Sequence, residues 1–500
     1  MINLKLKTFL LTGIVLIGLA LVACETDNNH AFVPESPEGP SVMQLVVNGE
    51  RYDVSLPASQ PVDLRTLCTE FPADIQVLNA SAFRQISING QSLTDGRLTL
   101  PVDEISYLNH LEVLYEAGRG LGSVRLRTLH NGIPPIWAEG QAEAPGHFYL
   151  SFIWRPLIMK YDHEGRLVYF RYEPTANAGT PQELGFWDFK KHVFDGKVYY
   201  SYHAPDPNFA DRAVTGYCPG MRILMDDHYQ PVDTIHALRS RDGYLNDGDP
   251  LDGHDFLFFS PTHWISSASY VEREVNGRRL AVAYLQEVDN GKVVADWWST
   301  DYPAMAEWGS TVFDTSYDYV HFNAIDILPN GYWLCSFRTV SSLLAIEPQT
   351  NGPGIVHWRI NGETLPEAYR FYGQHYARYH KDYGAYNLTL FDNGNGHRPQ
   401  HTRLLQLHIN PDTGEFLSSP GGDRLHDASG YFTLACGAYQ DFGPGKGFVA
   451  GWGWSMTEGD NARLVTEFDA QGNEIFSLRH MSPNLLLNEL NSSYRCVKCE

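Results

Sequence analysis

The sequence predicts an all-β protein, a six-bladed β-propeller preceded by a small N-terminal β-sandwich domain. Helical periodicity is scarce, and aromatic-rich stretches of alternating polarity are separated by Gly, Asn and Asp turns. A two-strand unit recurs about every sixty residues through most of the chain, and an earlier segment lies outside this repeat. A period of this length accommodates four strands and their connections, which is one propeller blade.

Residues 1–23 form a predicted signal peptide. Lys5 and Lys7 precede an apolar run that ends at Ala23 and is short for a membrane span. The run closes in LVAC, which resembles a bacterial lipobox and implies cleavage before Cys24 and lipidation of its thiol; the alternative is an ordinary signal peptide with a chance cysteine. Residues 24–40 are polar and Pro-rich and predict a tether. We expect a protein of the bacterial cell envelope, lipid-anchored, periplasmic or on the outer surface.

Residues 41–128 are predicted to form the small β-sandwich domain. Stretches such as VMQLVVNGERYDVSLP and HLEVLYEAGRGLGSVRLRTL alternate apolar and polar side chains, and NG and DG pairs mark hairpin turns. None of these stretches follows the period of the later chain. This unit is expected to support the propeller, to contact a second subunit or to present the site.

Residues 129–500 are predicted to form the six-bladed β-propeller. Each repeat has an apolar strand, a turn and a second strand, as in LIMKYDHEGRLVYFRY and LVTEFDAQGNEIFSLRH. The six turns are at Gly165, His228, Gly291, Gly354, Gly414 and Gly472. Because the second repeat has no turn glycine, we expect its turn to be of a different type.

The formal net charge of −22 argues against a nucleic-acid partner, which needs a basic surface to neutralise phosphates. A small anionic ligand is compatible with this charge, since it needs only a local positive pocket. The sequence has no Gly-x-x-x-x-Gly-Lys-Ser/Thr loop. A lone CxxC at Cys496 and Cys499 lacks the second pair of a zinc site, and it predicts a thiol pair or a disulfide. We therefore expect no cofactor and no metal.

Three histidines occupy equivalent positions in the repeat. His254 in DGHDFLFF, His321 in YVHFNAIDILPNGYWLCSFR and His375 in FYGQHYARYH each open the first strand of a unit, ahead of its hairpin. The first strand of a propeller blade lines the central channel, and so we expect three imidazoles at one axis. Arg338 follows His321 across the LPNG turn and is expected at the same mouth.

Five short motifs, in this order, resemble those of the bacterial arylsulfate sulfotransferases. They are HDF at 254–256, HFNAIDILPNGYWLCSFR at 321–338, VHWRING at 356–362, QHYAR at 374–378 and LFDNGNG at 390–396. The resemblance covers most of the chain and implies a six-bladed propeller with an N-terminal β-domain. It implies transfer of a sulfuryl group from an aryl sulfate ester to a phenolic acceptor, through a sulfated histidine and without a nucleotide donor. Aryl sulfates and phenols are thus the expected small-molecule partners, and a homodimer is compatible with the family.

The resemblance implies roles for five residues of this sequence. His375 corresponds to the catalytic nucleophile. His254, His321 and Arg338 correspond to catalytic residues that contact the sulfuryl oxygens, and Asn323 to a substrate-binding residue that supports them.

These residue types suit sulfuryl transfer on chemical grounds. A neutral imidazole nitrogen can bond sulfur and later release it, and fixed N–H donors offset the charge of the sulfuryl oxygens. Phe337 departs from the family, in which a small serine commonly precedes the arginine, and this puts the pose of Arg338 in question. Strand alternation puts Arg378 on the face opposite His375, and His380 is interpreted as a surface or packing residue.

Two polar stretches are interpreted as turns rather than as sites. DGDPLDGHD at 247–255 resembles part of a calcium loop but lacks its terminal Glu, and DNGNG at 392–396 is typical of a turn. Two alternatives to a transferase stay open at this point. One is a non-catalytic, lipid-anchored propeller that binds an aromatic or glycan ligand, and the other is a sulfohydrolase with water as acceptor.

Overall fold

The computed structural model describes residues 39–58, 60–101, 111–118, 120–127, 134, 136–143, 145–173, 184–208, 216–425, 431–455, 463–480 and 492–500. The predicted signal peptide, Cys24 and the tether up to residue 38 lie outside these residues, as does the predicted domain boundary at 128/129. Within them the chain is all-β, as predicted, with five short 3-10 helices at Ala80–Ala82, Ser299–Asp301, Pro303–Glu307, Gly362–Thr364 and Glu367–Tyr369. None of the described helices has the length and apolar character needed to cross a membrane.

Nine of the first ten described strands build two sheets. Their bounds are Val42–Val47 (β1), Glu50–Ser55 (β2), Val62–Asp63 (β3), Thr66–Cys68 (β4), Ala73–Val77 (β5), Gln85–Ile88 (β6), Gln91–Ser92 (β7), Arg97–Leu100 (β8), Leu111–Ala117 (β9) and Gly120–Arg127 (β10). The strand orders are β2-β1-β5-β8 and β3-β10-β9-β6-β7. Alternate residues of β1 and β5 are buried, and Leu45, Ile75, Val113 and Val124 share one apolar cluster drawn from both sheets.

Thirty further strands follow in the described part of the chain. The first fifteen are Ile136–Gly140 (β11), His147–Phe152 (β12), Leu157–Asp162 (β13), Leu167–Tyr172 (β14), Trp187–Phe194 (β15), Lys197–Pro205 (β16), Pro219–Met225 (β17), Pro231–Ile235 (β18), Leu251–Asp252 (β19), Phe256–Ser260 (β20), His263–Ser267 (β21), Val271–Val275 (β22), Arg278–Val282 (β23), Tyr284–Asp289 (β24) and Lys292–Trp298 (β25). The second fifteen are Phe322–Ile327 (β26), Trp333–Phe337 (β27), Ser342–Glu347 (β28), Ile355–Asn361 (β29), His375–Tyr379 (β30), Leu388–Asp392 (β31), Arg403–Ile409 (β32), Phe416–Asp423 (β33), Thr433–Ala435 (β34), Ala438–Asp441 (β35), Phe448–Gly451 (β36), Trp454–Ser455 (β37), Arg463–Phe468 (β38), Glu474–His480 (β39) and Ser493–Cys499 (β40).

Six sheets of four or five strands account for most of these. Their orders are β40-β12-β13-β14-β4 (sheet I), β15-β16-β17-β18 with β19 beside β17 (sheet II), β20-β21-β24-β25 (sheet III), β26-β27-β28-β29 (sheet IV), β30-β31-β32-β33 (sheet V) and β35-β36-β38-β39-β11 (sheet VI). The first strands of successive sheets contact one another, from β40 to β15, β20, β26, β30 and β35 and back to β40. The contacts of the first strands therefore form a closed ring.

The recurrent turn of the sequence joins the third and fourth strands of every sheet. Gly165, Gly291, Gly414 and Gly472 have φ between 71° and 86° there, a region that glycine enters without steric cost. The sequence period thus marks one and the same hairpin in each of the six sheets.

The corresponding turn of sheet II contradicts the expectation of a different turn type. Asp226 accepts two backbone N–H groups through Oδ1, as Asp162 does in sheet I. Tyr229 takes the position of Gly165, with a φ of 59°. A left-handed non-glycine residue costs about 1–2 kcal/mol. The Tyr229 ring is buried and stacks on Tyr169 at 3.9 Å, which offsets this cost.

Two sheets are completed by strands that are distant in sequence. β40 pairs with β12, and a hydrogen bond between Ser151 Oγ and the Arg495 carbonyl spans 344 residues. β11 forms the outer edge of sheet VI through β39. β4 of the first unit extends sheet I through β14 and so ties the two parts of the chain together.

An ion network of two carboxylates and four cations joins the first strands, and its members are Asp188, Lys190, Arg222, Asp255, Arg378 and Arg495. We call it the inter-sheet ion network. Arg495 Nη1 lies 2.5 Å from Asp188 Oδ1 and 3.0 Å from Asp255 Oδ1, and Arg378 Nη2 lies 2.9 Å from Asp255 Oδ2. Asp255 Oδ2 also accepts the backbone N–H of Ile325 at 3.0 Å. The network therefore connects sheets I to V.

The excess of cations in this network lowers the pKa of the Asp255 carboxyl. Burial by itself raises the pKa of a carboxyl, but Arg378, Lys190 and Arg495 hold the pKa of Asp255 well below its ordinary value. Four cations face two carboxylates, so each carboxylate is compensated more than once.

We expect the loss of a carboxylate to destabilise the fold more than the loss of a cation. Asp255→Asn leaves four buried cations with one carboxylate and should cost about 3–5 kcal/mol of unfolding free energy. Arg495→Met leaves three cations for two carboxylates and should cost less. Urea unfolding of the intact chain measures both.

Asp53→Asn is the matched control, because Asp53 pairs with Arg51 at the surface. Its loss should stay within about 1 kcal/mol. Equal losses for Asp255→Asn and Asp53→Asn would contradict the role given to the network.

Candidate active site

A cavity of about 280 Å³ lies where His254, His321, His375 and Arg338 converge. Its apolar wall consists of Ile153, Trp154, Leu184, Trp187, Leu434, Ala435 and Trp454. A larger space of about 720 Å³ lies elsewhere, beside Asp441 and Glu500, and no histidine is among its described lining residues. The smaller cavity is therefore the candidate active site, because it combines nucleophilic and cationic side chains with apolar walls.

His375 is the first residue of β30, and its imidazole is buried. Nδ1 lies 2.7 Å from Asn393 Oδ1 and 3.1 Å from the Gly373 carbonyl, while Nε2 accepts the backbone N–H of Cys436 at 3.2 Å. Burial, and then the charge of Arg338, hold the pKa of His375 well below its ordinary value. The imidazole is therefore neutral at neutral pH, as a nucleophile requires.

Gln374 fixes the start of β30 against sheet IV. Its Nε2 donates to Ser336 Oγ at 2.9 Å and to the carbonyls of Phe337 and Ser342 at 3.2 Å. The Phe337 ring packs in the core of sheets III and IV, 6.0 Å from the rings of Trp297 and Phe322. The departure of Phe337 from the family pattern therefore leaves Arg338 at the cavity.

His254 and His321 face each other, with 3.1 Å between their Nε2 atoms. His254 Nδ1 lies 2.6 Å from Asp252 Oδ2, and His321 Nδ1 bonds to Asp318 Oδ2. A carboxylate accepts only, so both Nδ1 atoms carry protons. A hydrogen bond between the two Nε2 atoms then needs one further proton. The two rings are thus placed to share a proton when the pair carries one.

The Asp252 carboxylate behind this pair is held ionised. Burial opposes ionisation of Asp252, but His254 lowers the pKa of Asp252 below its ordinary value. Burial lowers the pKa of His321, and the Asp318 carboxylate opposes that shift. Tyr217 stacks on His321 at 4.8 Å and donates its hydroxyl to Asp318. Each imidazole is thus oriented by a carboxylate on its far side.

Arg338 follows β27, and its backbone N–H donates to the His321 carbonyl at 2.8 Å. The guanidinium lies 4.3 Å from the centre of the Phe313 ring, and Nη2 donates to the Leu434 carbonyl at 3.5 Å. Among the described residues its buried Nε has no hydrogen-bond partner. Arg338 thus retains N–H groups for an anion in the cavity.

Asn323 does not line the cavity, in contrast to the substrate-binding role that the motif implies. It is fully buried, and its Nδ2 donates to the Gln374 carbonyl at 2.6 Å. Its closest connection to the site is therefore through the backbone that precedes His375.

The other basic residues of the stretch FYGQHYARYH, Arg378 and His380, are structural. Arg378 belongs to the inter-sheet ion network, and His380 Nε2 lies 2.7 Å from Thr389 Oγ1 while its ring stacks on Tyr383. Both placements agree with the sequence interpretation. Cys496 is buried in β40 and Cys499 half-buried at its end, and both thiols are free, so a disulfide between them is not formed.

Sequence reasoning missed four residues of the site: Asp252, Asp318, Asn393 and Cys436. Asp252 and Asn393 lie in the two stretches that were interpreted as polar turns. The sequence did offer a signal for two of them: Asp252 lies two positions before His254, and Asp318 lies three positions before His321. Such short spacings allow local hydrogen bonds. The backbone donor of Cys436 has no sequence signal, since any residue type supplies an N–H group.

One family model matches part of this chain. Residues 286–481, which include His321, Arg338 and His375, match the model of a family described as arylsulfotransferase. No curated protein matches the chain.

Three solved structures are similar to this chain. A protein of unknown function from Bacteroides caccae has 12% identity and a TM-score of 0.39, over 71% of this chain and 99% of its own. The periplasmic gluconolactonase PpgL of Pseudomonas aeruginosa has 12% identity and a TM-score of 0.30, over 71% and 99%. AztD of Citrobacter koseri has 8% identity and a TM-score of 0.28, over 92% and 98%.

The family model covers sheet IV, sheet V and most of sheet VI, with His321, His375 and Arg338 of the cavity, and it does not reach His254. Through residues 286–481, the chain is therefore similar to the arylsulfotransferase family.

Proposed function

We propose that this protein is a nucleotide-independent aryl sulfotransferase that moves a sulfuryl group from an aryl sulfate ester to a phenolic acceptor through a sulfohistidine at His375. The observation that carries the proposal is a buried His375 imidazole that lines a cavity together with Arg338 and the His254–His321 pair, and whose Nε2 accepts a backbone N–H. A module that only binds an aromatic or glycan ligand has no need of this combination.

The proposal includes the architecture. The six sheets are the blades of one propeller, and the two sheets of the first unit form a sandwich that precedes it. The closed succession of first-strand contacts and the shared hairpin turn support six blades. The shared apolar cluster supports the sandwich.

In the first half-reaction, the lone pair of one His375 nitrogen forms an N–S bond while the S–O bond to the aryl group breaks. The leaving phenolate takes the electron pair of that bond, and the proton shared by His254 and His321 neutralises it. Arg338 and the Cys436 N–H donate to the sulfuryl oxygens, since the N–H is released when Nε2 bonds sulfur. A phenol then leaves, and His375 carries the sulfuryl group.

In the second half-reaction, the acceptor phenol gives its proton back to the His254–His321 pair as its oxygen attacks sulfur. The N–S bond breaks and His375 regains its lone pair. The pair thus ends the cycle in the protonation state in which it began. The indoles of Trp154, Trp187 and Trp454 supply surfaces for the aryl ring and limit access of water.

The cellular location is part of the proposal. Cys24 would be the lipidated mature N-terminus, and the enzyme would lie in the bacterial cell envelope as a monomer or a homodimer. Only the lipobox-like sequence supports this anchor.

His375→Ala should abolish formation of the sulfoenzyme, because no other residue supplies the attacking nitrogen. Enzyme is mixed with aryl sulfate without acceptor, quenched under alkaline conditions, and the SO₃ adduct is mapped by peptide mass analysis. His380→Ala is the matched control and should retain the adduct, since His380 lies on the same stretch outside the cavity. An adduct on another residue, or transfer without any adduct, rejects the mechanism. Phenol release that added acceptor does not accelerate would indicate a sulfohydrolase.

Arg338→Ala should lower turnover by roughly 10²–10³, the usual loss on removal of one fixed donor to a developing charge. Folding should change little, because Arg338 makes one long hydrogen bond and one ring contact. Arg359→Ala is the control: Arg359 also stacks on an aromatic ring, Trp308, but lies outside the cavity. Similar activities of the two variants would show that the Arg338 guanidinium does not act on the sulfuryl group.

The first half-reaction should lose its rate only well below pH 6.5, the midpoint of a free imidazole. Only neutral His375 is nucleophilic, and burial and Arg338 lower its pKa, so protonation sets in at lower pH. Arg338→Ala should move the acid limb of the pH–rate profile to higher pH, because it removes a charge that lowers the pKa of His375. Stopped-flow release of a chromogenic phenol across pH measures the limb. A midpoint at or above 6.5 in the wild type would contradict a neutral buried nucleophile.

A further inference from the structure

We infer that Asn393 is a positioning residue that holds His375 in the tautomer protonated at Nδ1 and thereby selects Nε2 as the nitrogen that receives the sulfuryl group. This inference rests on the proposed function, because it concerns the same nucleophile. In this inference Asn393 does not contact the substrate, and it acts only through His375.

The orientation of the Asn393 amide is determined by its surroundings. Asn393 is fully buried, and its Nδ2 donates to the carbonyls of Thr433 at 3.1 Å and Cys436 at 3.0 Å. Carbonyls accept and cannot donate, so the NH₂ group must face them. Oδ1 must then face His375 Nδ1, at 2.7 Å. An amide oxygen only accepts, and therefore Nδ1 carries the proton.

The other contacts of the imidazole agree with this assignment. The Gly373 carbonyl, 3.1 Å from Nδ1, is a second acceptor for the same proton. On the opposite side, the Cys436 N–H points at Nε2 at 3.2 Å and can only donate. Nε2 therefore carries the lone pair. All three partners assign the same tautomer independently.

The tautomer matters in both half-reactions. In the first, the Nε2 lone pair forms the N–S bond, and the Nδ1 proton stays in place, so that the sulfated ring is an imidazolium. In the second, the acceptor oxygen forms the new S–O bond and the ring leaves as neutral imidazole. If Nδ1 lost its proton, the leaving group would be an imidazolide anion, which is a far poorer leaving group. A neutral amide holds that proton without removing it, which a basic carboxylate does less well.

Asn393 also has a second, separable role. With Asn395, whose Nδ2 donates to the Leu434 carbonyl at 3.1 Å, it holds the segment 433–436 that presents the Cys436 N–H. Asn395 makes no hydrogen bond to His375 among the described contacts. The two asparagines therefore share the structural role, and only Asn393 has the role in the tautomer.

The direct test is nitrogen NMR of the wild-type protein labelled with ¹⁵N in the histidine rings. The resonances that disappear in His375→Gln identify this residue. We expect a protonated Nδ1 and an unprotonated Nε2 at neutral pH. A protonated Nε2 in the wild type overturns the inference, whether or not the protein transfers sulfuryl groups.

Three variants test the consequence for catalysis. Asn393→Leu removes both roles and leaves the Gly373 carbonyl as the one described acceptor of the His375 Nδ1 proton. Sulfoenzyme formation should therefore slow by roughly 10–100-fold, the usual effect of losing an orienting partner. Asn395→Leu, the matched control, removes only the hold on the segment and should slow it less. Asn393→Asp keeps an acceptor at Nδ1 but loses both donors to the carbonyls.

Asn393→Asp separates the two roles. If the tautomer matters, this variant should be more active than Asn393→Leu at high pH. Its acid limb should move upward by about 1–3 pH units, because a carboxylate favours the imidazolium, while Arg338, His254, His321 and Cys436 still face the ring. If it is as slow as Asn393→Leu with an unmoved limb, Asn393 is only structural. A wild type that forms no sulfoenzyme rejects the proposed function, and the NMR result then still decides the tautomer.

Discussion

The structure depends on the inter-sheet ion network, in which two buried carboxylates are shared by cations from several sheets. Arg495 lies between Asp188 and Asp255, and Asp255 also binds Lys190, Arg378 and the backbone N–H of Ile325. Buried charges are costly unless they are paired with good geometry. One strand displaced by a residue would leave several of them unpaired. The network therefore fixes the relative register of the first strands of sheets I to V.

This register determines where the side chains of the candidate active site lie. His254 directly precedes Asp255, His375 lies three residues before Arg378, and Tyr494, next to Arg495, donates its hydroxyl to the His254 carbonyl. The first two of these segments thus carry one residue of the network and one residue at the cavity, and the third holds the backbone of His254. The same alignment of the strands therefore pairs the charges of the network and positions the imidazoles at the cavity. Catalytic groups preorganised in this way need little rearrangement during reaction.

The all-β class and the repeated hairpin could be predicted from sequence because turn glycines and strand alternation are local signals. Tyr229 shows the limit: its left-handed conformation is stabilised by stacking on Tyr169 and by a hydrogen bond to Glu70, which are distant in sequence. The three histidines and Arg338 could be predicted as one group because each repeat places its first strand alike. The role of Asn393 could not be predicted, because an asparagine in a polar turn and an asparagine that orients a histidine look the same in the sequence. They differ only in which residues they contact in the folded structure. The placement of Asn323 away from the cavity could not be predicted for the same reason.

The pairing of β40 with β12 has a consequence for the order in which the molecule assembles. β12 and β11 are made early, yet their partners β40 and β39 appear more than three hundred residues later. Until then, two strands present unpaired edges that can recruit other chains. Contacts of this sequence separation also close slowly, because a long loop must be ordered first. A newly made chain is therefore most vulnerable to aggregation just before β40 pairs with β12, the step that also closes the ring of first-strand contacts.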